Sequence, residues 1–123
     1  MANAKGYNVW YIPDGYIPPV STGSLVSHES ICVLNANEEA ANLRVTIYFE
    51  DRDPIEDVPV RVDGRRTAHV RTSTLEKDGA SIPVGVPYAM EVRSDIPIIV
   101  QYSRMDATQP ANTLATTMGF PVL

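Results

Sequence analysis

Ser94-Asp95-Ile96-Pro97-Ile98-Ile99-Val100-Gln101-Tyr102-Ser103-Arg104-Met105-Asp106 is the stretch whose reading decides the fold. Its β-branched run is too short for a helix or a membrane span, and it closes on polar and charged groups. A buried strand looks like this when it carries chemistry to one end. Side chains alternate along a strand, so Ile98, Val100, Tyr102 and Arg104 share one face and Ile99, Gln101, Ser103 and Met105 the other. Both faces begin with an apolar residue. This predicts cover on both sides, from an opposing sheet on one and a neighbouring subunit on the other. The same alternation keeps Gln101 and Arg104 out of one pocket unless a bulge reunites them.

Working outward, Val86–Arg93 alternates Tyr88, Met90 and Val92 with Ala89, Glu91 and Arg93, and Ser94-Asp95 reads as the turn into the next strand. Leu43–Glu50 is the cleanest alternation, with Leu43, Val45, Ile47 and Phe49 facing inward. Leu25–Asn35 reads as a strand that sends His28 and Glu29 to opposite faces. Val58, Val60 and Val62 alternate with polar residues, and Pro59 places that strand at a sheet edge. Asp63-Gly64 turns the chain into Arg65–Arg71, where His69 and Arg71 share a face. Tyr7–Ile12 is a short strand that stops at Pro13-Asp14-Gly15. Ser73–Gly79 has room for one turn of helix, and Met118–Leu123 reads as a final strand or a docked tail. Short alternating strands between Gly and Pro turns predict an all-β fold, an antiparallel β-sandwich or barrel-like domain spanning residues 1–123.

Composition agrees and narrows the function. Ten prolines and seven glycines in 123 residues make a helical architecture improbable. A net charge of −5 argues against nucleic acid as partner, because that affinity rests on clustered Lys and Arg. Cys32 is the only cysteine and sits within an apolar alternation, so a buried thiol is expected rather than a disulfide or nucleophile. The N-terminus lacks the apolar core of a signal peptide and no run is long enough to span a bilayer, which predicts a soluble, cytoplasmic protein without membrane insertion.

Trp10, Gly15-Tyr16-Ile17-Pro18-Pro19, Ser27-His28-Glu29, Cys32-Val33-Leu34-Asn35, Arg66–Arg71 and Pro97–Gln101 with Arg104 and Asp106 occur in an order that resembles the sensory rhodopsin transducer family. The resemblance covers almost the whole chain. It implies a small all-β sandwich that assembles as a cyclic homotetramer and serves in cytoplasmic signalling. It also implies a small-molecule site, with sugars or related compounds as ligands, and a possible partnership with a membrane sensor.

The candidate ligand-binding residues are Trp10, His28, Glu29, His69, Arg71, Gln101, Arg104 and Asp106. An indole stacks on the apolar face of a sugar ring, while amide, guanidinium and carboxylate groups read hydroxyls or anions. Core filling by Trp10 and ion pairing by the arginines are the competing structural roles. His28 and His69 with Glu29 and Asp106 match no compact metal motif, so no metal and no cofactor is expected. Glu29 and Asp106 as the acid and base of a glycosidase would require a separation that sequence does not supply. The expected protein is therefore a non-enzymatic binding module, and the rival reading is an adaptor linking a membrane sensor to a cytoplasmic regulator.

Overall fold

A computed structural model describes residues 5–123. Ten strands run in chain order: β1 (Tyr7–Gly15), β2 (His28–Asn35), β3 (Ala41–Phe49), β4 (Ile55–Val62), β5 (Arg66–Arg71), β6 (Glu76–Lys77), β7 (Ala80–Ser81), β8 (Tyr88–Asp106), β9 (Thr113–Met118) and β10 (Phe120–Val122). The described residues contain no α-helix; the only helical element is a 3-10 turn at Thr72–Thr74. The all-β, antiparallel, sandwich-like expectation holds.

Strand β8 organises everything else. Its first half pairs with β1 and β3, and its second half with β2 and β9, all antiparallel. One sheet is therefore β4-β3-β8-β1-β10 and the other β5-β2-β8-β9, with β8 common to both. The interior between them is filled by the inward parity of each strand, including Ile31, Val33, Leu43, Val45, Ile47, Met90, Val92, Ile98 and Val100, all essentially inaccessible.

This corrects the expected turn at Ser94-Asp95. The chain does not reverse there but continues through an irregularity: Val9 stands opposite Arg93 and Tyr7 opposite Ile98, so β8 spends extra residues at Ser94–Pro97. Local groups absorb the unpaired backbone. Ser94 Oγ accepts from the Ile96 N–H, Asp95 accepts from the Asn42 N–H and side-chain amide at 2.8 and 3.0 Å, and Asn37 donates to the Pro97 carbonyl at 2.6 Å. Pro97 itself brings no N–H to satisfy. A reversal would have paired the two apolar halves with each other, whereas each finds a separate sheet.

Other expectations shift at the edges of elements. β2 begins at His28 rather than Leu25, and β4 is the sheet edge that Pro59 indicated. The helical turn expected within Ser73–Gly79 is present only at its start, as the 3-10 turn Thr72–Thr74, and Glu76–Ser81 is a two-stranded hairpin, because Asp78 and Gly79 both take positive φ, 54° and 82°, as a tight hairpin turn demands. The Ala- and Thr-rich region after Asp106 contains β9, whose Thr-Leu-Ala-Thr-Thr-Met carries no alternation to reveal it. Cys32 is half-exposed, not buried, since its parity turns it away from the core toward His69 and Gln101.

Candidate functional site

Glu29 is the electrostatic centre of the molecule. Its side chain is wholly buried, and β2 delivers it to the interior because Glu29, Ile31 and Val33 share the inward parity. Burying a carboxylate is costly unless its lone pairs are filled. Here four groups donate to it: the Tyr16 backbone N–H at 2.9 and 3.1 Å, the Tyr88 and Tyr102 hydroxyls, and Arg104 Nε at 2.5 Å. The Thr72 hydroxyl lies 2.9 Å from the Tyr88 oxygen and holds the far side of the cluster.

Register explains the assembly. The β2–β8 ladder runs unbroken from His28↔Met105 to Leu34↔Ile99, setting Glu29 directly opposite Arg104 and Ile31 opposite Tyr102. Tyr88 arrives from the start of β8, past Gly15, where an added Cβ would sit 2.4 Å from the tyrosine ring. Burial, reinforced by the Glu29 contact, pushes both the Tyr88 and Tyr102 phenols well above their ordinary range. For Arg104, partial burial works against the charged form, but attraction and hydrogen bonding to Glu29 outweigh it and keep the guanidinium cationic.

With Nε clamped, the guanidinium fork of Arg104 is aimed outward. It lines a cleft of about 420 Å³ together with Ile12, Asp14, Tyr102, Thr117 and Phe120. Asp14, four-fifths exposed, places a carboxylate oxygen 3.9 Å from Arg104 Nη2. The cleft thus offers a fixed cation, a nearby acceptor and a wall of apolar and threonine side chains.

The eight residues singled out from sequence fall in three places. Glu29 and Arg104 lie together in the buried network, and Asp106 ends the same strand, where its carboxylate accepts from the Thr108 N–H and hydroxyl at 2.9 and 2.6 Å. Those bonds hold the Asp106 carboxyl below its usual range. His28, His69, Arg71 and Gln101 lie on the outward face of the β5-β2-β8-β9 sheet, away from the cleft: Gln101 faces Cys32, Cys32 faces His69 and Ser30 faces Arg71. Trp10 is in the core, donating Nε1–H to the Tyr7 and Ile98 carbonyls at 3.0 Å each, so its indole presents no stacking surface. Gln101 and Arg104 do point to opposite faces. Sequence reasoning did not single out Tyr88, Tyr102, Asp14 or the Tyr16 N–H. For Tyr102 the signal was present in its shared parity with Arg104; for Tyr88 and Asp14 only the tertiary fold brings them near. Among the described residues no three His, Cys, Asp or Glu side chains gather as a metal site.

The model of the Anabaena sensory rhodopsin transducer family matches residues 5–121. The chain belongs to this family. As a member, it is also similar to two solved structures. The crystal structure of Thermotoga maritima 1070 is 37% identical, with a TM-score of 0.86 over 96% of this chain and 97% of that one. The Anabaena sensory rhodopsin transducer is 40% identical, with a TM-score of 0.75 over 88% of this chain and 96% of that one. No curated protein sequence matches the chain. Among the described residues of this family member, no helix is long and apolar enough to cross a membrane.

Proposed function

We propose that this chain is a non-catalytic binding and signalling module whose cleft beside Arg104 takes a small hydroxyl-rich or anionic molecule, sugar-like in its chemistry. The observation that carries this reading is the clamped guanidinium. A fully buried Glu29 holds Nε, so the terminal nitrogens are pre-oriented toward the cleft rather than free to fold onto the surface. Asp14 supplies an acceptor for a hydroxyl, and Ile12 and Phe120 an apolar surface for a ring. Membership in a transducer family supports a signalling role for such binding, and the cytoplasm is the setting that this reading expects.

The test is a thermal-shift panel of sugars, nucleotides and organic acids. A ligand at 100 times its Kd stabilises by about 2.7 kcal/mol. Asp14→Ala and Thr117→Val, both at exposed positions, should weaken the response while leaving the unliganded melting temperature unchanged. A panel without any response, or a response untouched by both substitutions, overturns the assignment.

A second observation favours self-association. The outward face of the β2, β8 and β9 strands carries Leu34, Ile99, Cys32, Gln101, Met105 and Met118 and no charged residue, unlike a sheet face made for water. We read it as a contact surface within a homotetramer. Leu34→Glu with Ile99→Lys should lower the mass seen by light scattering; a native chain that is monomeric at micromolar concentration removes this reading. The adaptor reading, coupling to a membrane sensor as the name of the Anabaena relative implies, would use the same module with a protein partner.

A further inference from the structure

We propose that the cleft ligand includes an extended peptide segment of a partner protein, which adds as a strand to the free edge of β9 and sends an acidic side chain to Arg104. This rests on the reading of the cleft as a ligand site and names a class of occupant for it.

The first observation is the edge itself. Proteins blunt exposed strand edges with charges, prolines or bulges, because an open row of N–H and C=O groups templates pairing. The other edges here follow that rule. β4 carries Glu56, Asp57, Pro59 and Arg61 and is bulged, β5 carries Arg66 and Arg71, and β10 carries Pro121. β9, Thr113-Leu114-Ala115-Thr116-Thr117-Met118, has none of these and is exposed at every residue. Among the described residues only β8 pairs with it. The Gly119 N–H reaches the Val100 carbonyl at 3.0 Å, and ladder alternation then turns the N–H and C=O of Leu114 and Thr116 away from β8.

The second observation is that this edge is also the cleft wall. Ala115 through Phe120 line the cleft, and Ala115 stands directly opposite Arg104. A strand added along β9 would repeat its pleat, so alternate side chains would project into the cleft next to Ala115 and Thr117. Main-chain bonds would supply affinity, and the cleft would read every second side chain. Charge complementarity selects the reading group. β9 presents no charge, and the cation within reach is Arg104: its Nε is committed to Glu29, and its Nη2 meets the exposed Asp14 carboxylate no closer than 3.9 Å, a contact that an incoming carboxylate would have to replace. An acidic residue between β-branched neighbours, in extended conformation, fits both the edge and the cation.

The experiment uses the full chain and capped pentapeptides Thr-Val-X-Val-Thr, with X as Glu, Ala or Lys, followed by isothermal titration calorimetry. The Glu peptide should bind at least tenfold more tightly than the Ala or Lys peptide. Backbone N-methylation of the Glu peptide, which removes donors without altering side chains, should cost at least tenfold. Thr116→Pro removes only an outward N–H and should weaken the Glu peptide at least tenfold while leaving any small molecule found in the thermal-shift panel bound as before; Thr116→Lys is the second variant should proline impair folding. Equal binding of the N-methylated peptide, or none of the peptides binding at millimolar concentration while a small molecule still binds, overturns the strand-addition proposal and leaves the cleft reading intact. Peptide binding that is indifferent to both Asp14→Ala and Arg104→Lys overturns the role of the cleft.

Discussion

Replacing Arg104 with Met removes the cation that pairs with the buried Glu29 carboxylate. Met preserves much of the aliphatic stem, so the change isolates the charge. Breaking one partner of a buried ion pair costs about 3–5 kcal/mol, because the other charge stays behind unpaired. Two features of the structure lower that figure here. Glu29 keeps three other donors, the Tyr16 N–H and the two phenols, and the Arg104 side chain is one-third exposed, so water already screens part of the attraction. The expected loss is therefore about 2–3 kcal/mol, at the low end of the buried-pair range. In urea, with a slope of about 1.5 kcal/mol/M for a domain of this size, the unfolding midpoint should fall by about 1.3–2 M. Glu29→Gln alone should also destabilise, by about 2 kcal/mol, since its amide nitrogen turns a donor toward a donor. The double variant should cost less than the sum of the two by at least about 1 kcal/mol, as contacting partners do. A loss below about 0.5 kcal/mol for Arg104→Met, or a cycle additive within about 0.5 kcal/mol, would refute the claim that these two groups are energetically coupled.

The remaining predictions concern the scaffold around this pair. Tyr88→Phe and Tyr102→Phe should each lower stability by about 1–2 kcal/mol in denaturant unfolding, because each leaves a buried acceptor short of a donor. Both phenols titrate above the ordinary value of 10, so the folded chain holds their protons longer than the unfolded chain; their contribution is complete below pH about 10 and declines as pH rises above it. Spectrophotometric titration of the native protein at pH about 11 should leave Tyr88 and Tyr102 unionised among the six tyrosines, and each Phe variant should remove one unionised phenol from that count. Trp10→Phe should destabilise by about 1–3 kcal/mol by stranding the Ile98 carbonyl, yet leave ligand response in the thermal-shift panel unaltered; a lost response with intact stability would return the indole to the binding site. Gly15→Ala should cost about 1–3 kcal/mol, since the new methyl meets the Tyr88 ring, and Tyr88→Phe should not relieve it because the clash is with ring carbons.

The sequence by itself determined the strands and their faces. Alternation along Leu43–Phe49, Glu29–Asn35 and Ile98–Arg104 identified inward and outward side chains, and Pro59 marked a sheet edge, because the pleat has a period of two whatever the strand pairs with. It also placed Gln101 and Arg104 on opposite faces. Where alternation failed, reading failed too: β9 has no periodic pattern, and the irregularity at Ser94–Pro97 has the composition of a turn although the strand runs through it. Only the tertiary structure decided which strands share a sheet, and therefore that residues 16, 88, 102 and 104 would converge on the Glu29 carboxylate. Parity fixes a side chain's face from its neighbours in the chain, but convergence depends on register between strands dozens of residues apart, which no local pattern encodes. Hence Glu29 and Arg104 were recognisable as candidates one by one, while their pairing, the tyrosines around them and the cleft they open onto belong to the fold.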